Sequence, residues 1–257
     1  MPDLILTSTR NAVTTITLNS PQTRNALSME LMAQLRDVLA AIGEDTSVHA
    51  VVLAAEGPVF SSGHNLKEVR GADLAHQQEI FDLCTELMLT VQRIPQPVIA
   101  RVQGLATAAG AQLAATCDLV VAGRSASFAT PGVKIGLFCS TPGVAIARAL
   151  PTKQAMRMLL TGDPISAERA LELGMVSDVV DDADVVEAAD ELAAKIAQAS
   201  SATVAIGKEA FYRQINMTVE DAYSEMSRTM AANAVIEDAQ EGIDAFLTKR
   251  SPEWQGR

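Results

Sequence analysis

Aromatic side chains are scarce in this 257-residue chain: six Phe, two Tyr and one Trp make up 4% of the sequence. Hydrophobic residues still reach 48%, so Ala, Val, Leu and Ile must fill the interior. Cysteine is also rare. Cys84, Cys117 and Cys139 are too few and too scattered for a disulfide framework or a zinc site, and no metal is expected. Basic charge is short as well, with 20 Lys and Arg against 31 Asp and Glu for a net charge of −11. That removes the basic surface on which nucleic-acid affinity rests. A small anionic ligand stays allowed, because it needs only a few local cations. No apolar run is long enough to span a bilayer. The opening Met-Pro-Asp-Leu lacks the basic region and apolar core of a signal peptide. A reducing, cytoplasmic setting with no nucleic-acid or membrane partner is expected. Neither an internal repeat nor a low-complexity tract is visible.

What is present is an alternation of strands and helices. Val13–Leu18 reads as a β-branched strand ended by Asn19-Ser20-Pro21. Leu31, Leu35, Val38, Leu39 and Ile42 mark one face of a helix with Ser28 as its N-cap. Val48 to Ala55 is a short apolar strand. Ile80, Leu83, Cys84, Leu87, Met88, Val91 and Ile94 form a second helical stripe, stopped by Pro95-Gln96-Pro97. A strand from Val98, a helix from Ala109 and the run Leu119–Ala122 follow. Ser166 caps a helix ending at Gly174, and Val176–Val180 is a last short strand. Beyond residue 185 only helical periodicity remains, with helices starting at Ser200-Ser201 and over Glu237–Leu247. This order predicts an α/β core with parallel pairing over 1–195. A helical region over 196–257 then serves as a cap or an oligomer interface.

Two turns carry chemistry. In Ile99–Leu119, IARVQGLATAAGAQLAATCDL, an apolar strand breaks at Gln103-Gly104 into residues no bulkier than Leu before a helix starts near Ala109. The first N–H groups of that helix have no intrahelical partner, and its dipole favours negative charge. In Pro58–Glu68, PVFSSGHNLKE, Gly63 is placed to supply a backbone angle that other residues resist. The N–H of His64 then points toward a pocket. Two backbone donors, one on His64 and one on Ala109, could hold one developing oxyanion, each worth about 2.7–4 kcal/mol when preorganised.

The chain resembles the enoyl-CoA hydratase/isomerase, or crotonase, family over nearly its whole length. The resemblance rests on RNALS (Arg24–Ser28), FSSGHNLKE (Phe60–Glu68), PQPVIARVQGLATAAGAQLAATCDL (Pro95–Leu119) and SFATPGVKIGLF (Ser127–Phe138). It continues through LLTGDPISAERALELGMV (Leu159–Val176) and EGIDAFLTKRSPEW (Glu241–Trp254). It implies a spiral of ββα units, a C-terminal helical region, a homotrimer or dimer of trimers, and a coenzyme A thioester as ligand without a further cofactor. By that resemblance the oxyanion donors are the N–H groups of His64 and Ala109. His64, Asn65, Leu66 and Lys67 would line the thioester and pantetheine path. Ala26 and Leu27 would lie near the adenine. Lys67, Lys249 and Trp254 are candidates for the nucleotide end, within the chain or across a subunit interface.

The chain departs from the family where hydration needs acids. Family hydratases use two glutamates, and the matching positions here are Gln112 and Gly132. Gln112 has no titratable proton near neutral pH, and Gly132 has no side chain. A general acid or base typically contributes ~10²–10⁴-fold, so hydration should be slow, and restoring both glutamates should raise it. Other members place an acid eight residues further on, where an ungapped alignment puts Ser140. The His64 imidazole is a candidate base, although a purely backbone role is the simpler reading. Cys139 reads as a buried structural thiol rather than a nucleophile, and Glu68 as a solvated charge favoured by a helix start. The readings left open are a sluggish hydratase or isomerase, a malonyl-type decarboxylase using the oxyanion hole alone, and a non-catalytic acyl-CoA carrier or sensor. A bland fourth keeps only the oligomeric scaffold.

Overall fold

The computed structural model describes residues 3–257. Along the chain, β1 (Ile5–Arg10) and β2 (Val13–Leu18) lead to α1 (Met29–Gly43). Next come β3 (Ala50–Ala55), β4 (Val59–Ser61), α2 (Leu66–Val69) and α3 (Leu74–Arg93). A second unit contains β5 (Val98–Val102), β6 (Leu105–Thr107) and α4 (Ala109–Thr116). A third contains β7 (Leu119–Gly123), β8 (Ser127–Ala129) and α5 (Ser140–Ala149), followed by α6 (Thr152–Thr161). Then β9 (Ile165–Ser166), α7 (Ala167–Glu172), β10 (Asp178–Val180) and α8 (Val185–Ala197) close the core. The chain ends in α9 (Ser201–Gln214), α10 (Val219–Asn233) and α11 (Glu237–Thr248).

Each ββα unit gives its first strand to one sheet and its second to another. The larger sheet has the order β1-β2-β3-β5-β7-β10, the smaller β4-β6-β8-β9. Pairing is parallel except at the β1–β2 and β8–β9 edges. This is the spiral of ββα units with a helical C-terminal region that the resemblance implies.

Parallel strands covered on both faces lose the polar alternation of a half-exposed sheet. AVVLAA in β3 is buried at its first five positions. Val51 and Leu53 face the main core, which α1 and α3 also build with Leu35, Leu39, Cys84 and Leu87. Ala50 and Val52 face the other way, where Ala189 and Ala193 of α8 cover them. Each fully buried Leu or Ile contributes about 1.5–3 kcal/mol by leaving water. Local signals set the helix ends. The Ser28 hydroxyl accepts from the Leu31 N–H at 3.2 Å, and Ser166 accepts from Arg169 at 3.1 Å. Glu68 also caps α1, accepting from the Met29 N–H at 3.0 Å, so its carboxylate is structural rather than merely solvated.

A buried polar cluster ties α9 to the core. Lys208 pairs with Asp118 at 2.8 Å and donates to the carbonyls of Val91 and Gln96, each at 2.9 Å. Tyr212 donates to the other Asp118 oxygen at 2.8 Å. Burial pushes the Lys208 pKa down, and the Asp118 charge opposes that.

The sequence reading needs correction at four places. The last strand starts at Asp178 rather than Val176, and the third at Ala50 rather than Val48. Strand β1 gave no signal because only Ile5 of ILTSTR is buried. The second sheet was also missed, since strands of two or three residues are shorter than any periodicity that would reveal them.

Candidate active site

The segments 24–28, 61–65 and 107–110 meet at one place because backbone, not side chain, fills the joint. Asn25 is fully buried and stitches it: its amide donates to the carbonyls of Glu56 and Val59 at 2.9 and 2.8 Å. The Ser61 hydroxyl donates to the Asn25 carbonyl at 2.8 Å. Gly63 follows with φ +84°, the left-handed region that glycine enters freely. A β-carbon there would lie 2.8 Å from the Ala108 Cβ and 3.2 Å from the Ala109 nitrogen.

His64 forms a single parallel bridge with Leu27. Its neighbours make the bonds: Leu27 donates to the Gly63 carbonyl at 2.8 Å, and Asn65 donates to the Leu27 carbonyl at 3.3 Å. In such pairing the residue between the two bonded positions turns its own N–H away from the partner strand. On the other side of the joint, Ala108 is held at φ 51°, ψ −118°, a conformation costing of order 1–3 kcal/mol for a non-glycine residue. The surroundings hold it there, since its N–H donates to the Ala129 carbonyl at 2.8 Å. Ala109 opens α4, and no side chain caps that helix start.

A cavity of about 520 Å³ opens beside this joint. His64, Leu66, Ala109, Gly132 and Ser140 line it, together with Phe81, Thr107, Cys139 and the loop through Phe138. Its walls are mostly apolar. Among the described residues no Asp or Glu lines it, and the one charged lining residue, Lys134, pairs with Asp163 at 2.9 Å.

Gln112 does not line the cavity. It is buried behind the wall, where its Oε1 accepts from the Cys84 thiol at 3.9 Å across α3. At Gly132 the vacancy is closed: a β-carbon would overlap the Leu137 carbonyl oxygen and stand 2.7 Å from the Cys139 Sγ. The turn that does this is locked by the Leu137 N–H donating to the Gly132 carbonyl at 2.9 Å. Restoring glutamates is consequently no simple repair.

The His64 ring sits edge-on to Phe81 with centroids 5.3 Å apart, and neither ring nitrogen has a partner at bonding geometry. Burial pushes its pKa down. The nearby Leu27 carbonyl and the Glu68 charge oppose this more weakly. The imidazole is thus held neutral. The Cys139 thiol is pushed up by burial, with the Gly132 backbone opposing, so its thiolate is disfavoured.

The other expected ligand residues lie outside the cavity. Leu27 is fully buried and Asn65 caps α2, accepting from the Lys67 N–H at 3.2 Å. Neither they nor Ala26 and Lys67 line it. Lys249 ends α11 in the left-handed region at φ 58°. Trp254 donates through Nε1 to the Gln198 carbonyl at 2.8 Å and lines a different cavity with His49 and Gln96. Within one chain, Lys249 and Trp254 are not gathered with the rest. Sequence reasoning missed Phe81 and Thr107. Phe81 adjoins the apolar stripe of α3 rather than lying on it, and Thr107 belongs to the unrecognised strand β6.

The profile of the enoyl-CoA hydratase/isomerase family matches residues 8–257. The rat protein named enoyl-CoA hydratase domain-containing protein 3, mitochondrial, is 47% identical over 97% of this chain and 84% of its own length. The 2,3-dehydroadipyl-CoA hydratase of Escherichia coli K12 is 34% identical over the full length of both. A crystal structure of an enoyl-CoA hydratase from Mycobacterium smegmatis superimposes with a TM-score of 0.96 at 48% identity, covering 98% of this chain and 99% of that one. The expectation of a cytoplasmic setting is corrected by the rat relative and its vertebrate counterparts, all named mitochondrial. A scarcity of cysteine fits either reducing compartment, so composition had no power to separate them. Matched along 8–257 and sharing the ββα spiral of its relatives, the chain belongs to the enoyl-CoA hydratase/isomerase family.

Proposed function

We propose that this protein binds an acyl-CoA thioester with the thioester oxygen between the N–H groups of His64 and Ala109, and that it hydrates enoyl thioesters poorly. The observation that carries this is a cavity with no carboxylate beside the joint of Gly63-His64 and Ala108-Ala109. Both donors belong to backbone fixed before any ligand arrives, which is the arrangement that stabilises developing negative charge most strongly. Hydration also needs a proton donor and a positioned water. Gln112 is an amide with no titratable proton, Gly132 is closed off, and neither nitrogen of the His64 imidazole has a hydrogen-bond partner through which to relay a proton. Without a general acid or base the rate falls by about 10²–10⁴-fold for each lost group, although the two effects need not multiply. A hydratase in family but not in rate is the consequence.

The same features suit chemistry that makes an enolate without a base, such as loss of carbon dioxide from a malonyl-type thioester, and they equally suit a carrier. Incubation with a panel of enoyl- and malonyl-type thioesters, followed by mass analysis, separates the three. The reading predicts bound but unhydrated crotonyl-CoA. Turnover at a rate ordinary for an enzyme would refute it.

Self-association as a trimer or paired trimers belongs to the same proposal. The C-terminal helices expose Phe211, Ile215, Tyr223, Val235 and Phe246, more apolar surface than a solvated face normally carries. Lys249 and Trp254 would then reach a thioester only across such an interface. A monomer in sedimentation at micromolar concentration would remove that role from both.

A further inference from the structure

A second cavity, of about 470 Å³, lies away from the oxyanion joint. The chain reaches the joint after β3 and β5, whereas this cavity is lined by Val48, His49, Pro95 and Gln96, which precede those strands. Because β3 and β5 run parallel, the two places sit at opposite ends of the same sheet. Ser201 at the start of α9 and the segment from Trp254 to Arg257 complete the wall. Gln96 is only 5% exposed, and its amide nitrogen donates to the carbonyls of Ile42 at 2.8 Å and Asp45 at 3.2 Å. Those bonds fix which way round the amide sits, and its Oε1 is left buried without a partner. An unpaired buried acceptor costs free energy that a ligand's donor would recover. His49 adds a second acceptor. Its Nδ1 lies 3.1 Å from the Ala197 carbonyl, which can only accept, so Nδ1 carries the proton and Nε2 of the neutral ring keeps its lone pair. Trp254 has its Nε1–H spent on the Gln198 carbonyl and offers the cavity its ring. Charge is scarce: among the described residues no Asp or Glu lines the cavity, and Arg257 pairs with Glu237 at 2.8 Å. A cationic guest would be desolvated there without a counter-charge.

From two acceptors, an aromatic ring and no acid, we infer a second binding site here for a neutral, planar heteroaromatic amine of one or two rings. Its exocyclic amine gives N–H groups to Gln96 Oε1 and His49 Nε2, and its ring packs against Trp254. The volume falls within the range of small-molecule sites. This site stands apart from the thioester reading, because no residue that lines it lines the other cavity.

Trp254 is the only tryptophan in the chain, so its fluorescence reads this site directly. The test is titration with 2-aminopyrimidine, 9-methyladenine, 2-(dimethylamino)pyrimidine and benzamidine, with and without saturating butyryl-CoA. The two amines should quench the emission saturably, and butyryl-CoA should not compete. The dimethylamino compound keeps the ring but has no N–H. It should bind at least about fivefold more weakly than 2-aminopyrimidine, as the loss of one or two neutral hydrogen bonds gives. Benzamidine, an amidinium cation, should bind at least about tenfold more weakly than 2-aminopyrimidine. Gln96→Met should narrow the gap between amine and dimethylamine to within about twofold. His49→Leu provides the same readout if the first variant does not fold. No saturable quenching by either amine, equal binding of amine and dimethylamine, or a gap that survives both substitutions would overturn this inference. Competition by butyryl-CoA would assign Trp254 to the nucleotide end of a thioester held by another copy, and would also overturn it. The thioester reading fails separately, if calorimetry shows that butyryl-CoA does not bind.

Discussion

The Cys139 sulfur stands 2.7 Å from the point that a β-carbon on Gly132 would occupy. The space a family glutamate would need is therefore taken by a thiol and by the Leu137 carbonyl of the adjoining turn. The loop as well as the codon keeps a side chain out of this position. Gly132→Glu, alone or with Gln112→Glu, should leave crotonyl-CoA hydration at background. The clash should cost about 1–3 kcal/mol of stability, as overpacking typically does. A hydration assay beside urea denaturation checks both. A large gain in rate would show that the turn yields easily.

Gly63→Ala should disturb the joint itself. The new methyl would lie 2.8 Å from the Ala108 Cβ and 2.9 Å from the Thr107 carbonyl oxygen, at a φ of +84° that alanine resists. The expected loss is about 1–3 kcal/mol from overcrowding alone, with thioester affinity down at least about tenfold. An unchanged urea midpoint would mean that the close approach of the two turns is not needed.

His64→Ala separates backbone from side chain. The N–H survives, so acyl-CoA affinity should stay within a few-fold of the parent. The side chain should show itself in stability against pH. Burial holds the folded-state pKa of His64 below its ordinary 6.5. Between those two values the unfolded chain binds more protons, so stability is full above 6.5 and is lost as pH falls through 6.5 toward the folded value. Chemical denaturation from pH 7.5 to 5 should give a shallower acid-side decline for the variant. Equal slopes would exclude a buried neutral imidazole.

Lys208→Met should strand the Asp118 carboxylate among its remaining partners, the Val98 N–H and the Tyr212 hydroxyl. Breaking a buried pair from one side costs about 3–5 kcal/mol. Adding Asp118→Asn should return part of that loss, because the uncompensated charge is then gone. Urea midpoints of the two variants decide it. Additive losses would contradict a coupled pair.

Much of this arrangement was readable in the sequence. Strand Val13–Leu18, the Ser28 and Ser166 caps, the α3 stripe and the left-handed Gly63 all follow from local rules, since each depends on residues within one turn or strand. The structure departs from that reading where distant segments decide. Gln112 sits one turn beyond Ala109, yet its Oε1 meets Cys84 on another helix. Gly132 reads as an empty place in the sequence, and the turn through Leu137 fills it. Trp254 is held by Gln198, 56 residues away. No spacing rule in one sequence reports contacts of that kind.

The central claim is that two main-chain hydrogens hold the thioester oxygen. Isotope-edited infrared difference spectroscopy on a saturated acyl-CoA carrying a ¹³C-labelled thioester carbonyl tests it most directly. Two donors on one oxygen polarise the C=O bond, so the labelled band should move to lower frequency on binding, in the parent and in His64→Ala alike. A band unchanged from its position in free solution, with the ligand demonstrably bound, would contradict the account.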